Sequence, residues 1–487
     1  VHLEARIYKE KKIKNVETFK LSELIFELRK LIIEFLAGFG EETLTDNNIE
    51  KSAPDDNNAF PIFNFFPILH IDHEDNSEGA EKNSGSFLSK NVFKKSIKNL
   101  CSKTYKPALK NSILSGAAQL SDYTIPGQCY SFKIGNLTIR NPVISAPLAG
   151  ISDNTYRIFA SAFGSALTYT EMITACGIHY NHNKSLALSE ITDYERPCAL
   201  QLFGEDPDII AEAAARLEDR ADIIDINMGC PVPKILKAKS GGYLVQDESR
   251  VEKIIRKVSS SINKPLTIKT RIGWDRDSIN ILNIAKIAES SGADAIAIHG
   301  RTVKQGFSGE VDYSLIKEVK EKVKIPVIVS GDIDSSKKAL EVLKYTGCDG
   351  VMVGRAAKGR LWLMANILMA VCRLGATGAG GMDTDNNTNN TDNTDNKPEH
   401  KDHYKDYSKD YYADCSDFEP DISWKKEYSK LYLKFLIYFK GEDRAVKEFR
   451  KHLCWIFRGE QGVNRVKQEF FKIKDYTGAI SCIDKIR

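Results

Sequence analysis

Between Tyr130 and Leu374 the chain repeats one pattern eight times, a short apolar run followed by a helix-length segment. The runs end at Ala146 (NPVISA), Glu171 (ALTYTE), Gln201 (CALQ), Asn227 (DIIDIN), Lys269 (PLTIK), His299 (AIAIH), Ser330 (PVIVS) and Gly354 (GVMVG). Successive ends lie 25, 30, 26, 42, 30, 31 and 24 residues apart, and each interval holds one helix and two loops. Runs that are apolar at consecutive positions suit strands buried on both faces, as in a parallel sheet clothed in helices. Eight units of this regularity predict an α/β fold, a (β/α)8 TIM barrel. A doubly wound open sheet is the alternative, but such sheets seldom reach eight units, and no G-x-G-x-x-G follows the first run.

The flanks read differently. Residues 1–130 form an N-terminal extension expected to be poorly ordered, apart from one amphipathic helix over Leu21–Phe39. Asp46–Asn58 and Asp72–Ser86 are polar and acidic. Between them lies an aromatic patch, FPIFNFFPILHI, expected to dock on the main domain, with a leftover strand as the alternative. The barrel is assigned to residues 131–374. Residues 375–422 are Gly-, Asn-, Thr- and Asp-rich and cannot bury enough apolar surface to offset the entropy of ordering them, so they read as a linker. Helical periodicity returns in residues 423–487, with Tyr432, Phe435, Leu436 and Phe439 on one face and Phe449, Leu453 and Ile456 after them.

Charge separates these regions further. A formal net charge of +3 says little about partners. Lys425–Asp475, however, carries 14 Lys/Arg against 7 Asp/Glu, a local +7 that leaves about −4 for the rest of the chain. An excess so localised, with Tyr and Trp interleaved, predicts contact with a polyanion. The ten cysteines include no C-x-x-C pair and no Cys/His cluster at metal spacing, so reduced thiols and no metal site are expected. No apolar run reaches the eighteen or so residues of a membrane span. The chain begins with Val1, and its acidic first segment suits a transit peptide poorly. A cytoplasmic monomer is the expectation, with organellar targeting left open.

The chemistry is expected at the strand ends. Six of the eight carry a polar or ionisable group, and a ring of them facing one rim suits a polar planar ligand. After the fourth run come Asn227-Met228-Gly229-Cys230-Pro231, then Lys234, Lys237, Lys239 and the pair Gly241-Gly242. A thiol just past the carboxyl end of a buried parallel strand stands where barrels place their chemistry. The blander reading is a small buried hydrophobe, the commoner fate of a free cysteine. Ser330-Gly331-Asp332 and Gly354-Arg355 follow the seventh and eighth runs, where many barrels hold a phosphate. With lysine, histidine and glutamine inside, they suggest a phosphorylated cofactor such as FMN, and a phosphosugar substrate is the rival.

At this level of detail the chain resembles a known family. The motifs APLAGISDNTYR (146–157), TEM (170–172), LQLFG (200–204), DINMGCP (225–231), KTRIGW (269–274), HGRT (299–302), SGDI (330–333) and DGVMVGRAAKGRLW (349–362) are similar, in order and spacing, to those of the tRNA-dihydrouridine synthases, nearest the bacterial B-type branch. FRKHLCWIFRG (449–459) resembles the motif of that family's C-terminal helical domain. The resemblance implies FMN held by Pro147, Leu148 and Ala149, with Gln201 and Lys269 at the isoalloxazine edge and His299 at the cofactor's inner side. It places the phosphate on Ser330, Gly331, Asp332, Gly354 and Arg355. It further implies NADPH (or NADH) as reductant, hydride from flavin N5 to C6 of a tRNA uracil, and a proton from Cys230 to C5, with Asn227 orienting flavin and base. Arg450, Lys451 and Arg458 are expected to grip tRNA. Leu148 stands where the family usually has Met, Ser330 where it has Asn, and Arg360-Leu361 where Asn-Pro is common; none of these removes a catalytic group. An FMN oxidoreductase of free pyrimidines and a catalytically inactive tRNA-binding protein are the competing readings. The local +7 counts against the first, and the intact Cys230, Lys269 and His299 against the second.

Overall fold

The computed structural model describes residues 19–43, 130–376 and 416–487. The FPIFNFFPILHI patch, both acidic runs and the Asn-rich stretch of the linker lie outside the described residues. The strands are β1 (Phe132–Ile134), β2 (Leu137–Ile139), β3 (Val143–Ser145), β4 (Thr168–Tyr169), β5 (Ile173–Thr174), β6 (Cys198–Phe203), β7 (Ile223–Met228), β8 (Leu266–Arg271), β9 (Ala295–His299), β10 (Val327–Ser330) and β11 (Gly350–Val353). The main sheet runs β3-β11-β10-β9-β8-β7-β6-β4, all parallel, with β5 continuing beside β6. Ser145 donates its N–H to the Leu167 carbonyl at 3.1 Å, joining β3 to the start of β4, so the sheet returns to its beginning as a barrel.

The strands of the main sheet bury both faces, as their apolar runs require. Residues of one parity (Ile144, Ala199, Ile223, Ala297, Ile328 and Met352) fill the interior. Those of the other parity, among them Leu200, Ile224, Ile226, Ile268, Ile298 and Val351, pack under the surrounding helices. Those helices start on sequence-local caps: Asp206 accepts from the N–H groups of Asp208 and Ile209 with Pro207 at the first position, and Asp312 accepts from Ser314 and Leu315.

The sequence reading does not anticipate β1 and β2. They pair antiparallel across Gly135-Asn136, with Gly135 at φ +57°, the left-handed backbone a two-residue turn needs. Ile134 and Ile139 are fully buried in the interior cluster, and Gly135 lies against Pro265 and Asp294 at the starts of neighbouring strands. The hairpin therefore plugs the amino-terminal end of the barrel.

Four helices, Ile422–Lys440, Glu442–Ile456, Val463–Phe470 and Tyr476–Asp484, form the C-terminal domain. It is seated on the barrel by aromatic contacts. Phe159 meets Tyr428, Tyr432 and Phe435 with ring centroids 5.4, 4.9 and 5.2 Å apart, and Trp362 meets Trp424 at 5.6 Å. The helix Leu21–Thr43 lies against Ile422–Lys440. There Trp424 Nε1 donates to the Leu31 carbonyl at 3.2 Å, Glu27 pairs with Lys434 at 2.9 Å, and Phe35 touches Phe163, Phe418 and Trp424. The last residues of the linker also join the fold, since Asp417 caps Ser336 N–H at 2.9 Å and Glu419 accepts from Trp362 Nε1 at 3.2 Å. Among the described residues no helix is long and apolar enough to cross a membrane, and no group of His, Cys, Asp and Glu is arranged to hold a metal.

Candidate active site

The strand ends converge on a cavity of about 500 Å³. Its wall includes Pro147, Leu148 and Ala149 from the loop after β3, Gln201 from β6, Asn227 and Cys230 from β7 and its loop, and Lys269 from β8. His299, Ser330, Gly331, Asp332, Gly354 and Arg355 complete it from β9 to β11, and Arg458 reaches it from the helical domain. Twelve residues expected at the cofactor and the proton donor, scattered over more than two hundred positions of sequence, thus face one another.

Period-two geometry explains much of this convergence. In the parallel register Gln201 stands opposite Asp225, Asp225 opposite Thr267, and Asn227 opposite Lys269, all on the interior face. The Cys230 loop is then fastened at several points. Asn227 Oδ1 accepts from the N–H groups of Gly229 at 3.1 Å and Cys230 at 3.0 Å. Arg271 donates to the Gly229 carbonyl at 2.8 Å and to those of Thr302 and Gly306 at 2.9 and 2.7 Å, tying two loops together. Gly242 N–H donates to the Cys230 carbonyl at 3.0 Å, and a Cβ at Gly242 would stand 2.9 Å from that oxygen. The glycine pair is therefore a close backbone approach behind the cysteine.

Electrostatics sort the groups on the wall. Burial pushes the Cys230 thiol above its ordinary value, against the pull of Arg271 and Lys269, so it stays protonated. Burial, then the neighbouring Arg271, lowers Lys269 to about 8. Among the described residues its ammonium has no hydrogen-bond partner. His299 is held neutral by burial and by the cations Arg271, Lys269, Arg301 and Arg355. Arg301 lies 3.4 Å from His299 Nε2, and a guanidinium can only donate, so Nε2 accepts and Nδ1 carries the proton. Asp332 is engaged through its side chain. Its carboxylate is held by Arg301 on both oxygens and by Arg355 at 2.8 Å, and the hydrogen bond from Arg301 keeps it well below the usual range. The side chain therefore positions two guanidinium groups, and the phosphate expectation at this residue falls to its backbone N–H.

The family model described as dihydrouridine synthase (Dus) matches residues 144–434. The tRNA-dihydrouridine synthase B of Vibrio parahaemolyticus is 42% identical over 236 residues, 48% of this chain and 73% of that protein. The protein of the same name from Pseudomonas aeruginosa is 34% identical over 347 residues, 70% of this chain and 92% of the relative. The chain belongs to the dihydrouridine synthase family. Its likeness to the B-type proteins agrees with the branch expected from the motifs.

The dihydrouridine synthase motifs did not single out every residue on the wall. Met172, Arg271 and Phe307 also line the cavity. The first two lie inside the TEM and KTRIGW motifs, so their position was available. Phe307 lies in a glycine-flanked loop beyond HGRT and gave no local signal; its ring, 54% exposed, sits under Arg355 at 4.4 Å and Arg271 at 5.5 Å. Lys358 adds a rim cation, lowered by burial and then by Arg355 and Lys451. Of the three residues expected to grip tRNA, Arg458 is exposed at the cavity, and Lys451 Nζ donates to the Gly150 carbonyl at the barrel lip. Arg450 is not brought there. Its guanidinium stacks on Phe471 at 5.4 Å and donates to the Ile473 carbonyl at 3.4 Å, inside the helical domain. The local +7 is also partly spent internally, because Lys425, Lys430, Lys434 and Lys440 pair with Glu460, Asp484, Glu27 and Glu448.

The donor set fits a flavin mononucleotide. A cavity of about 500 Å³ has the size of a cofactor site. Lys269 offers an unpartnered ammonium inside it, and Arg355 offers positive charge at the β11 end. At Gly354 a Cβ would meet only the Ala146 methyl, at 3.6 Å, leaving room beside the backbone for a phosphate.

Proposed function

We propose that the chain reduces the C5–C6 double bond of uridines in tRNA, with FMN as resident cofactor and NADPH (or NADH) as reductant. The observation that carries this reading is the company of Cys230: a protonated thiol, an unpartnered lysine and a neutral imidazole share one cavity whose mouth is edged by cations. Pro147, Leu148, Ala149, Gln201, Lys269 and His299 would hold the flavin ring, and Ser330, Gly331, the Asp332 backbone, Gly354 and Arg355 its phosphate. FMN, when bound, supplies the hydride that enters at uracil C6.

The chain's own groups do the rest. Cys230 gives its S–H proton to C5, so that the S–H bond breaks as the C–H bond forms, and the thiolate left behind is favoured by Arg271 and Lys269. A low-pKa nucleophile would be useless here, because the acid must keep its proton until carbanion character develops. Lys269 and the Nδ1–H of His299 stabilise negative charge on the pyrimidine carbonyl during that step. Asn227 holds the Cys230 backbone and faces the cavity. The uracil must leave its stack to arrive, and Arg458, Lys451 and Lys358 at the seam meet the phosphates around it. A free pyrimidine needs no such rim. A monomer working in the cytoplasm, where tRNA is abundant, completes the proposal.

The test is a two-step reaction. Protein loaded with FMN and reduced anaerobically by NADPH is mixed with an unmodified tRNA transcript. Flavin absorbance should return as dihydrouridine forms in equal amount. Reoxidation by orotate-like small molecules, with none by tRNA, would move the assignment to free pyrimidines.

A further inference from the structure

The polar row inside the barrel holds a residue that no step above uses. Asp225 is fully buried, on β7 between Gln201 of β6 and Thr267 of β8. Its Oδ1 accepts from the Thr267 hydroxyl at 2.6 Å and its Oδ2 from Gln201 Nε2 at 2.7 Å. Gln201 Oε1 in turn accepts from Asn227 Nδ2 at 2.9 Å. Asn227 Oδ1 then accepts from the backbone N–H groups of Gly229 and Cys230, at 3.1 and 3.0 Å. The chain thus runs unbroken from Thr267 to the peptide nitrogen of the proton donor.

Its direction is forced. An amide has one donating and one accepting end, and an ionised carboxylate only accepts. Once Asp225 takes the NH2 of Gln201, the Gln201 oxygen must face Asn227. Once that oxygen takes the NH2 of Asn227, the Asn227 oxygen must face Cys230. One carboxylate therefore fixes the rotation of two amides on the cavity wall. Each amide keeps one N–H in reserve, so the wall offers donors at these two positions and suits the carbonyl and ring-nitrogen acceptors of a flavin or a uracil.

We propose that Asp225 is a positioning residue: through the amides of Gln201 and Asn227 it sets the donor pattern that receives the ring and holds the Cys230 loop at its working place. This rests on the function proposed above. Reversing either amide would point an oxygen lone pair at an acceptor edge and release the Cys230 N–H, and small displacements of a reacting group cost rate steeply.

Asp225→Leu removes the acceptor at similar volume, and Asp225→Asn keeps an oxygen that can still accept from Gln201. Four quantities are measured on each variant: thermal midpoint, FMN dissociation constant, the two flavin half-reactions per bound flavin, and alkylation of the Cys230 peptide by iodoacetamide in protein free of flavin. Asp225→Leu should slow reoxidation by tRNA about 10- to 100-fold, weaken FMN, and change Cys230 alkylation at least about fivefold. It should alter flavin reduction by NADPH much less. Asp225→Asn should recover most of each loss. If Asp225→Leu does not fold, Thr267→Val frees one side of the carboxylate and should shift the same quantities in the same direction, by less. Equal behaviour of the Leu and Asn variants, or a Leu variant that changes only the thermal midpoint, overturns the proposal. Alkylation and FMN affinity need no tRNA. A wild type that fails to transfer to tRNA therefore indicts the proposed function, not the role of Asp225.

Discussion

Cys230 and Asp225 sit five residues apart and ask for opposite protonation. The cysteine must keep its proton. If it is the C5 donor, Cys230→Ala should leave FMN binding and reduction by NADPH nearly unchanged, and slow reoxidation by tRNA by about 10²–10⁴. A cysteine that merely packs would instead slow both half-reactions together through lost stability, so stopped-flow traces of the two steps separate the cases. Asp225 must lose its proton, and burial opposes that by pushing its carboxyl from 3.8 to about 6, against the pull of Thr267, Gln201 and Lys269. Between those values the folded protein holds a proton that the unfolded chain has released. This group's contribution to stability is thus present at low pH and lost as pH rises through about 6, a difference of about 3 kcal/mol. Asp225→Asn should remove that slope. Urea midpoints of wild type and variant should coincide near pH 4 and separate at pH 7.5, with the variant more stable even where it works less well.

Among the elements, the eight strands were legible and the hairpin was not. The reason is physical. Strands buried on both faces announce themselves as unbroken apolar runs, whereas β1 and β2 alternate over only three residues each around Gly135-Asn136. The wall residues at strand ends were legible because period two sends alternate residues inward. Phe307 was not, because a loop's aim is set by distant contacts such as Arg271 to the Gly306 carbonyl. The helix Glu442–Ile456 shows the limit of reading charge from a sequence. Lys451 reaches the barrel from this helix and Arg458 from just beyond its end, yet Arg450, rotated 100° from Lys451, faces Phe471 and Ile473 instead. Arg458→Glu should therefore weaken tRNA binding and reduce the salt slope by about one contact. Arg450→Ala should leave tRNA affinity in place and cost about 1 kcal/mol of stability through its lost contacts with Phe471 and Ile473. Filter binding against salt, with thermal melts of both variants, checks the pair.

For the molecule as a whole, three stretches of sequence build one aromatic seam. Phe35 from the extension, Phe159 and Phe163 from the barrel, and Trp424, Tyr428 and Tyr432 from the last domain interlock, all buried or nearly so. The periodicity of Leu21–Phe39 showed a helix but not its partner, because an apolar stripe carries no address. Phe35→Ala should lower stability by about 3–5 kcal/mol, as large-to-small changes in a packed core do, while transfer per folded molecule holds; denaturant melts with activity normalised to bound flavin test this. The hairpin at the other end of the barrel has a different consequence. With Ile134 and Ile139 stoppering the base, the chamber is closed at that end, and in the proposed reaction the nicotinamide and the uracil would reach the flavin by the same doorway. They would then take turns, one visitor departing before the next is admitted, so that abundant tRNA is expected to slow the recharging on which its own modification depends.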